Sequence, residues 1–392
     1  MEPGCDLLIA CAVWDANAAE LDRVRACASR VEDWTAWLQL ARRHKLVPHA
    51  RRALSDAGAG VPSAVARQLD AESLAIAAGA LARARQLAEL ARLLGRAGVP
   101  SLAFKGPALS IAAYGEVGVR DSFDLDVVVR PRDVDRAREA MRLGGYESRP
   151  GMSPSQERAL QTSFGHFSYV RDGEPAVVEL HWRFAASRYP WSMPPDEVLA
   201  RSRTIELAGT QVAVPAPTDT VLLQAMHGAR HQWEQLEWLV AFGRTLRIEP
   251  VDEGRLLERA GANGSMRALC VGLRLAKDMI GTPLPAPLAA LASDASAAAR
   301  AGDIARSIAS GSVPTDRPYW FNLRMMDRAS DRARYIALSV FAPTPREWEL
   351  VRLPDALLPL YHPIRLARVL LLQPVRLARM LALRFKSLFV RR

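Results

Sequence analysis

Two carboxylates lie inside the clearest β-strand segment of this 392-residue chain, and they constrain its fold more than any other feature. The segment Phe123 to Arg130 reads Phe-Asp-Leu-Asp-Val-Val-Val-Arg, a pattern that predicts a buried strand. Side chains alternate along a strand, so Asp124 and Asp126 share one face while Leu125 points to the other. Neighbouring carboxylates repel each other and are costly to bury, so we expect a cation between them.

Further strand and helix signals surround this segment between residues 98 and 215. Short apolar runs predict strands, and glycine or proline marks the points where the chain turns. The predicted elements are strand Val99 to Phe104, helix Pro107 to Tyr114, helix Pro131 to Leu143, strands Gly165 to Val170 and Ala176 to Trp182 about the turn Arg171 to Glu174, and a β segment Thr204 to Val214 that turns at Gly209.

Helical patterns occupy both flanks, so the predicted fold class is α+β. Leu7 to Ala97 is amphipathic and is interrupted only by the loop Ala57 to Pro62. Gly281 to Ala299 is predicted as a linker or a loose helix. The helices predicted before it are Thr218 to His231, Trp233 to Leu246, Asp252 to Ala260 and Ser265 to Ile280. We therefore predict a helical region 1–97, an α/β core 98–215, a helical domain 216–350 and a tail 351–392.

Composition excludes several classes of protein. With 49% hydrophobic and 24% charged residues, the chain is not disordered, collagen-like or a disulfide scaffold. Four cysteines without a Cys-x-x-Cys pair predict a reducing compartment and exclude a zinc ribbon. No basic region precedes the apolar stretch Leu7 to Trp14, and no run approaches the ~20 apolar residues of a membrane-spanning helix. We therefore expect a cytoplasmic protein.

A third carboxylate, Glu179, lies in a later predicted strand, two residues before His181. Alternation directs both side chains to one face of that strand. Mg²⁺ prefers oxygen ligands and often completes its coordination with substrate phosphates. Three carboxylates on neighbouring strands could therefore hold two metal ions, the usual clamp for an in-line phosphoryl displacement.

A candidate phosphate site precedes the carboxylates at Phe104-Lys105-Gly106, where a predicted strand meets a helix. Glycine lets backbone amides approach a ligand, and a helix N-terminus favours anions. Lys105 is one of only four lysines among 52 basic residues, and lysine acts as a compact charge on phosphate. Arg120 could bind phosphate or pair with the acids. An isolated Asp-x-Asp is more often a loop-edge pair or a solvated strand face, but the order of these parts favours a functional site.

In these residues the chain resembles the nucleotidyltransferase superfamily with a DNA polymerase β-like fold. The usual signature there is a Gly-Ser pair, an Asp-x-Asp strand some ten to thirteen residues later and a third acid. Here Lys-Gly replaces Gly-Ser, and seventeen residues separate Gly106 from Asp124. The chain more closely resembles the uncharacterised bacterial nucleotidyltransferase family and, more distantly, AbiEii-type toxins. The matching positions are Phe104-Lys105-Gly106, Leu109, Tyr114, Arg120, Asp124-Leu125-Asp126, Gly145-Tyr146, Glu179-Leu180-His181-Trp182, Leu222-Leu223, His227 and His231.

This resemblance implies a polymerase β-like core with a mixed sheet flanked by helices, an NTP donor such as ATP, and Mg²⁺ or Mn²⁺. The products would be an NMP-modified acceptor and pyrophosphate. The acceptor stays open among peptide, protein and small molecule. Carried over residue by residue, the resemblance assigns catalysis and metal binding to Asp124, Asp126 and Glu179, of which Glu179 would orient the acceptor as a metal ligand or as a general base. It assigns triphosphate binding to Lys105, the Gly106 amide and Arg120.

Two alternatives to this enzyme remain open. The chain could have lost turnover and act as a binding or scaffold protein with a nucleotidyltransferase fold. It could also be a toxin-like nucleotidyltransferase that modifies tRNA. The complete set of three acids favours catalysis over the scaffold.

The histidines have several possible roles. His227 and His231 are four residues apart on a predicted helix and share a face. They could bind zinc with Glu234 or Glu237, line the site, or pack within the helical region. His181 could orient Glu179, contact the acceptor, or be a buried, hydrogen-bonded histidine. Core packing is the expected role of Trp182, Trp233 and Trp238.

The C-terminal tail carries most of the net charge. The whole chain has a formal charge of +10, of which residues 361–392 contribute +8 with no acid. Two similar units start at Pro363 and Pro374 and place arginines three apart between leucines. Either these helices lie on an anionic membrane or a partner, or their apolar faces pack on the protein with the arginines solvated. Few aromatics and no nucleic-acid-reading motif accompany them, so no DNA partner is predicted.

Overall fold

A computed structural model describes residues 2–149, 156–157, 161, 164–191, 193–309 and 318–371. The chain begins with five helices, as predicted from its amphipathic pattern. The loop between the fourth and fifth spans residues 57–62, which carry the predicted glycine and proline residues. These helices are α1 (Pro3–Ala10), α2 (Ala18–Ala28), α3 (Trp34–Arg43), α4 (Val47–Asp56) and α5 (Ser63–Arg96).

A five-stranded mixed sheet follows, in the spatial order β1-β2-β5-β4-β3. Strands β2 and β5 are parallel, and the other neighbouring pairs are antiparallel. Helices α6 (Gly106–Tyr114) and α7 (Val134–Leu143) connect the first strands. The strands are β1 (Ser101–Ala103), β2 (Asp124–Val129), β3 (Glu147–Arg149), β4 (His166–Val170) and β5 (Val177–His181). The predicted α+β class with a mixed sheet is confirmed.

The two faces of β2 pack into different parts of the core. Leu125, Val127 and Val129 join a cluster with residues of α5 and α7, whereas Val128 belongs to a cluster formed with the outer helical regions. Asp126 lies on the same face as Val128, as strand alternation predicts. The carboxylate face of the sheet therefore points toward the helices that cover it.

A separate two-stranded hairpin consists of β6 (Arg203–Leu207) and β7 (Thr210–Val214). It matches the predicted β segment and turns at Ala208-Gly209, both of which have positive φ. Ile205, Leu207, Val212 and Val214 pack against the cluster on the α5 side of the main sheet. Before the hairpin lies the short helix α8 (Pro195–Ala200).

Helices form most of the remaining described residues, and the Pro/Ala-rich segment 281–299 is largely helical. Helices Pro217–Arg230 and Met266–Ile280 pack beside helix Leu236–Ile248, which carries Glu237 of the candidate site. None of the helices in the described ranges is long and apolar enough to cross a bilayer. The helices are α9 (Pro217–Arg230), α10 (Leu236–Ile248), α11 (Glu253–Ala262), α12 (Met266–Ile280), α13 (Ala286–Ala292), α14 (Ala295–Ala309), α15 (Pro318–Met325), α16 (Ala329–Phe341) and α17 (Pro345–Leu350).

The first basic unit of the tail differs from the predicted alternative in which its arginines are solvated. Residues 361–371 are helical. Arg365 and Arg368 are ion-paired with the fully buried Glu347, while Leu370 and Leu371 are exposed. The buried carboxylate of Glu347 on α17 therefore pairs with two arginines that the amphipathic pattern predicted to face solvent or a membrane. The second unit, which starts at Pro374, lies outside the described residues.

Candidate active site

The carboxylates predicted on β2 and β5 lie side by side. In the parallel pairing of these strands Asp126 is the register partner of Glu179. Asp124 precedes Asp126 on the same face and is partly exposed. The sheet thus brings the three predicted acids to one place because the two apolar strands that carry them are neighbours.

Asp126 is buried at the centre of this group. Its Oδ1 accepts from Lys105 Nζ at 2.7 Å and lies 3.0 Å from His181 Nε2. Burial alone raises the pKa of the Asp126 carboxyl, but Lys105 and His181 outweigh it and hold the pKa far below its usual range. Its Oδ2 is buried with no hydrogen-bond partner among the described residues. Burial, followed by the charge of Asp126, raises the pKa of Asp124.

Two histidines stand beside Glu179. His181 Nε2 is 3.1 Å from Glu179 Oε2, and its Nδ1 is 3.3 Å from the carbonyl oxygen of Arg183. Burial lowers the pKa of His181, but hydrogen bonds to Asp126 and Glu179 give a net rise. His166, opposite His181 in the β4–β5 pairing, has its Nε2 3.6 Å from Glu179 Oε1. Burial, assisted by His181, lowers the pKa of His166 to about 4.

Gly106 begins α6 directly above the acids. Its φ is +56°, and a Cβ at this position would lie 3.4 Å from the backbone oxygen of Asp124. Both facts favour glycine, because an L-residue adopts positive φ only at a cost. The close approach joins the predicted phosphate cradle to the start of β2. Lys105 is the residue that precedes this helix, and its side chain reaches Asp126.

Arg120 binds a residue that is distant in sequence. Its Nε and Nη2 donate to both carboxylate oxygens of Glu237 on α10, with Nη2 to Oε2 at 3.0 Å. Both side chains are buried. The remaining Nη1 is also buried and has no hydrogen-bond partner among the described residues. Arg120 therefore pairs with an acid, but with none of the three predicted ones.

A cavity of about 390 Å³ opens over these groups. Asp126 and His181 lie beneath its wall, held by Lys105 and Glu179. Four cationic side chains and several aromatic rings line it, which suits an anionic ligand that carries a planar group. The site residues on its wall are Lys45, Lys105, Gly106, Arg120, Phe123, Asp124, His166, Glu179, His227, Arg230, His231, Glu237 and Trp238.

The comparison with protein families agrees with this geometry. A family model described as uncharacterised nucleotidyltransferase matches residues 30–281, nearly two thirds of the chain. The chain belongs to this family. It is therefore a nucleotidyltransferase, as its motifs predicted. No curated protein matches the sequence.

The histidine pair of this nucleotidyltransferase lies in the cavity wall, at the C-terminal end of helix α9. The rings of His227 and His231 are 4.7 Å apart, and both pack on Trp238, which is only partly buried. Burial, followed by nearby cations, lowers the pKa of both histidines, to about 3 for His231. Arg230 Nε lies 3.0 Å from His231 Nε2. Because Glu237 is occupied by Arg120, the geometry favours a wall-lining role over zinc binding.

The other predicted core aromatics are buried. Trp182 packs against Phe167, and Trp233 packs against Phe242. Trp238 is the exception, because part of its indole lines the cavity.

Several residues of the nucleotidyltransferase site carried no strong sequence signal. The sequence indicates Glu237 only as a possible zinc ligand. Lys45 lies at the cavity, with its Nζ 4.7 Å from the centre of the exposed Phe123 ring. His166 had no predicted role. The predicted turn 171–174 could have indicated His166, because a hairpin that turns there places residue 166 beside residues 179–181 on the neighbouring strand.

The acids fit a hard divalent cation. Carboxylate oxygens from Asp124, Asp126 and Glu179 are the ligand type that Mg²⁺ prefers. The unpartnered Oδ2 of Asp126 is a buried acceptor that a cation would satisfy. The donor chemistry therefore suits the metal that the family implies.

Proposed function

We propose that this nucleotidyltransferase moves an NMP from an NTP to an acceptor with release of pyrophosphate, in a reaction that requires Mg²⁺ or Mn²⁺. One observation carries the proposal: Asp126 and Glu179 are register partners beneath a cavity that also contains Lys105 and Arg120. A cavity lined by both acids and cations matches a metal-bound triphosphate in charge.

Asp124, Asp126 and Glu179 would hold the metal. Bound there, it would neutralise phosphate charge and orient the reacting oxygens. Lys105 now neutralises Asp126. With a cation held by Asp126, the Nζ of Lys105 would be free to bind a phosphate oxygen.

The triphosphate would bind at the start of α6. Lys105, the backbone amides of the first turn and the unpartnered Nη1 of Arg120 are donors of the kind that phosphate oxygens accept. Glu237 holds the Arg120 guanidinium in one orientation through two hydrogen bonds. We propose ATP as the first donor to test, although the site's described contacts apply to any NTP.

The acceptor would approach from the side of Glu179. A second cavity of about 240 Å³ shares His166 with the first and is lined mainly by apolar side chains, among them Phe167, Ala342 and Trp348. We place a peptide, protein or small-molecule acceptor here. Ala342→Trp would narrow this cavity and should reduce acceptor labelling while NTP affinity is unchanged.

A second candidate function is a nucleotide-binding scaffold without turnover. One contact favours it: Lys105 and His181 cover Asp126, so the carboxylate is fully shielded from the cavity. The scaffold would bind an NTP with Mg²⁺ but transfer nothing.

A screen of four labelled NTPs against cell extract tests these proposals. Label on a protein, peptide or small molecule would support the leading proposal, whereas label on tRNA would indicate the toxin-like alternative. Binding of Mg-NTP with no labelled product would indicate the scaffold.

We also propose a cytoplasmic location with peripheral attachment through the C-terminal segment. The four cysteines are free and buried, which suits a reducing compartment. Leu370 and Leu371 are exposed beside a sequence rich in arginine. Removing the residues after Tyr361 should abolish co-sedimentation with anionic liposomes, and unchanged binding would refute this attachment.

A further inference from the structure

Three side chains on one β-hairpin form a cluster that is not limited to oxygen ligands. His166 on β4 and His181 and Glu179 on β5 place one potential ligand atom each within 4.8 Å of the others. The two imidazole rings face each other with centroids 4.6 Å apart. Cross-strand pairing of His166 with His181 fixes this arrangement.

The backbone selects which nitrogen of His181 faces the acids. Its Nδ1 lies 3.3 Å from the carbonyl oxygen of Arg183, which can only accept a hydrogen bond. Nδ1 therefore carries a proton, and Nε2 is the nitrogen that faces Glu179 Oε2 and Asp126 Oδ1. Because both carboxylates accept, Nε2 also carries a proton and donates to them in the metal-free protein, and a bound metal ion would replace that proton. A carbonyl that fixes the tautomer in this way is the usual support of a metal-binding histidine.

A second, independent feature points to a cation at the same place. The side chain of Asp126 is completely buried, and its Oδ2 has no hydrogen-bond partner among the described residues. One imidazole nitrogen and two carboxylates thus converge on a small volume, and a metal ion there would replace the proton on that nitrogen and satisfy all three.

We infer that His166, His181 and Glu179 bind a divalent first-row transition-metal ion of the Zn²⁺ type, with Asp126 beside it. Imidazole nitrogen suits such ions, whereas Mg²⁺ prefers oxygen ligands and retains water. Two histidines and one carboxylate leave a coordination position open to a ligand. The inference deepens the proposed function and rests on it in sharing Glu179, which would then serve as metal ligand and not as general base.

Titration of the full-length, nucleotide-free protein with Co²⁺ tests this inference. A second titration adds excess Mg²⁺ to the Co²⁺-loaded protein, because Mg²⁺ displaces Co²⁺ that is bound by oxygen ligands alone. Visible absorption of Co²⁺ is strong in a four-coordinate site and weak in an octahedral oxygen site, and it does not depend on activity. Loss of this absorption in the histidine variants then identifies the nitrogen ligands. We expect one Co²⁺ per chain, displaced by Zn²⁺, with affinity at least about tenfold lower in His166→Gln and His181→Gln.

Matched controls are available on helix α9 in the wall of the same cavity. His227→Gln and His231→Gln replace buried histidines outside the cluster and should leave Co²⁺ affinity within about twofold of wild type. Because His166 is 41% exposed, its variant is expected to fold even where His181→Gln does not. Circular dichroism verifies the fold of each variant.

Equal Co²⁺ affinity in wild type and His166→Gln, or full displacement by Mg²⁺, would overturn the inference. The proposed function fails differently. A protein that binds Co²⁺ through these histidines but transfers no NMP retains the metal site and loses the enzyme. A protein that transfers NMP with Mg²⁺ but binds no Co²⁺ supports the proposed function and contradicts the histidine metal site.

Discussion

The Nζ atom of Lys105 lies 2.7 Å from Oδ1 of Asp126, at the point where the first turn of α6 meets strand β2. The lysine belongs to the predicted phosphate cradle and the aspartate to the predicted metal site. Each therefore compensates the charge of the other in the protein without ligand. A metal and a triphosphate bound together would provide both with new partners.

Replacing Lys105 by methionine tests this exchange. The variant leaves Asp126 without its cationic neighbour, so the free energy of unfolding without metal should fall by about 2 kcal/mol. Excess Mg²⁺ should restore most of it, because the free carboxylate becomes a better metal ligand. Chemical denaturation with and without Mg²⁺ measures both effects. Lys277→Met, on the exposed side of α12, is the control, and equal responses of the two variants would contradict the exchange.

Glu237→Gln tests the buried pair that holds Arg120. Removing one charge leaves the guanidinium buried without compensation, so we expect the free energy of unfolding to fall by about 3 kcal/mol. Asp303→Asn breaks an ion pair whose side chains are 75% and 73% exposed, and should change it by less than about 0.5 kcal/mol. Urea denaturation measures the free energy of unfolding of both variants. Equal losses would show that the buried Arg120–Glu237 pair contributes no more to stability than an exposed ion pair.

Gly106→Ala tests the backbone of the cradle. The positive φ and the oxygen of Asp124 at 3.4 Å should together lower the free energy of unfolding by roughly 1 to 2 kcal/mol. NTP binding, measured by calorimetry, should weaken as well. Gly95→Ala is a matched control, because Gly95 lies in helix α5 with no atom near its Cβ position, and alanine there should stabilise by about 0.5 to 1 kcal/mol.

His49→Phe tests the pH dependence of stability. Burial lowers the pKa of His49 to about 4, although Glu237 opposes this; both ring nitrogens lack hydrogen-bond partners among the described residues. The unfolded chain takes up this proton near pH 6.5 and the folded chain only near pH 4, so stability is lost as the pH falls between them. At pH 5 the loss is about 2 kcal/mol.

Phenylalanine fits the same aromatic contacts with Trp14 and Tyr114 and does not titrate. The variant should therefore lose about 2 kcal/mol less than wild type between pH 7.5 and pH 5. Denaturation at both pH values measures the difference. Identical pH dependence in the two proteins would mean that His49 does not contribute.

Local pattern was sufficient to predict the carboxylate face. Alternation in β2 fixed the sides of Asp124, Leu125 and Asp126, and an apolar strand with its own acid predicted Glu179. Glycine and proline marked the ends of helices and the hairpin turns correctly. Family membership and the mixed sheet flanked by helices are also confirmed. The domain boundaries and the roles of the individual site residues stay predictions.

Contacts between distant segments could not be predicted in this way. Arg120 and Glu237 are 117 residues apart, and only the packing of α10 over the sheet brings them together. Burial of Arg365 and Arg368 likewise depends on Glu347, a residue on another helix. Hydrophobic periodicity predicts which face of a helix is apolar. It does not predict which charged residue of a neighbouring helix is buried against that face.

The most direct test of the central claim is Mg²⁺-dependent transfer of labelled NMP by wild type and Asp126→Asn. Asp135→Asn, which alters an exposed acid of α7, is the control. We predict that wild type and Asp135→Asn label the same acceptor from cell extract, and that Asp126→Asn loses at least about a hundredfold of the rate. Transfer by Asp126→Asn at the wild-type rate would contradict the account.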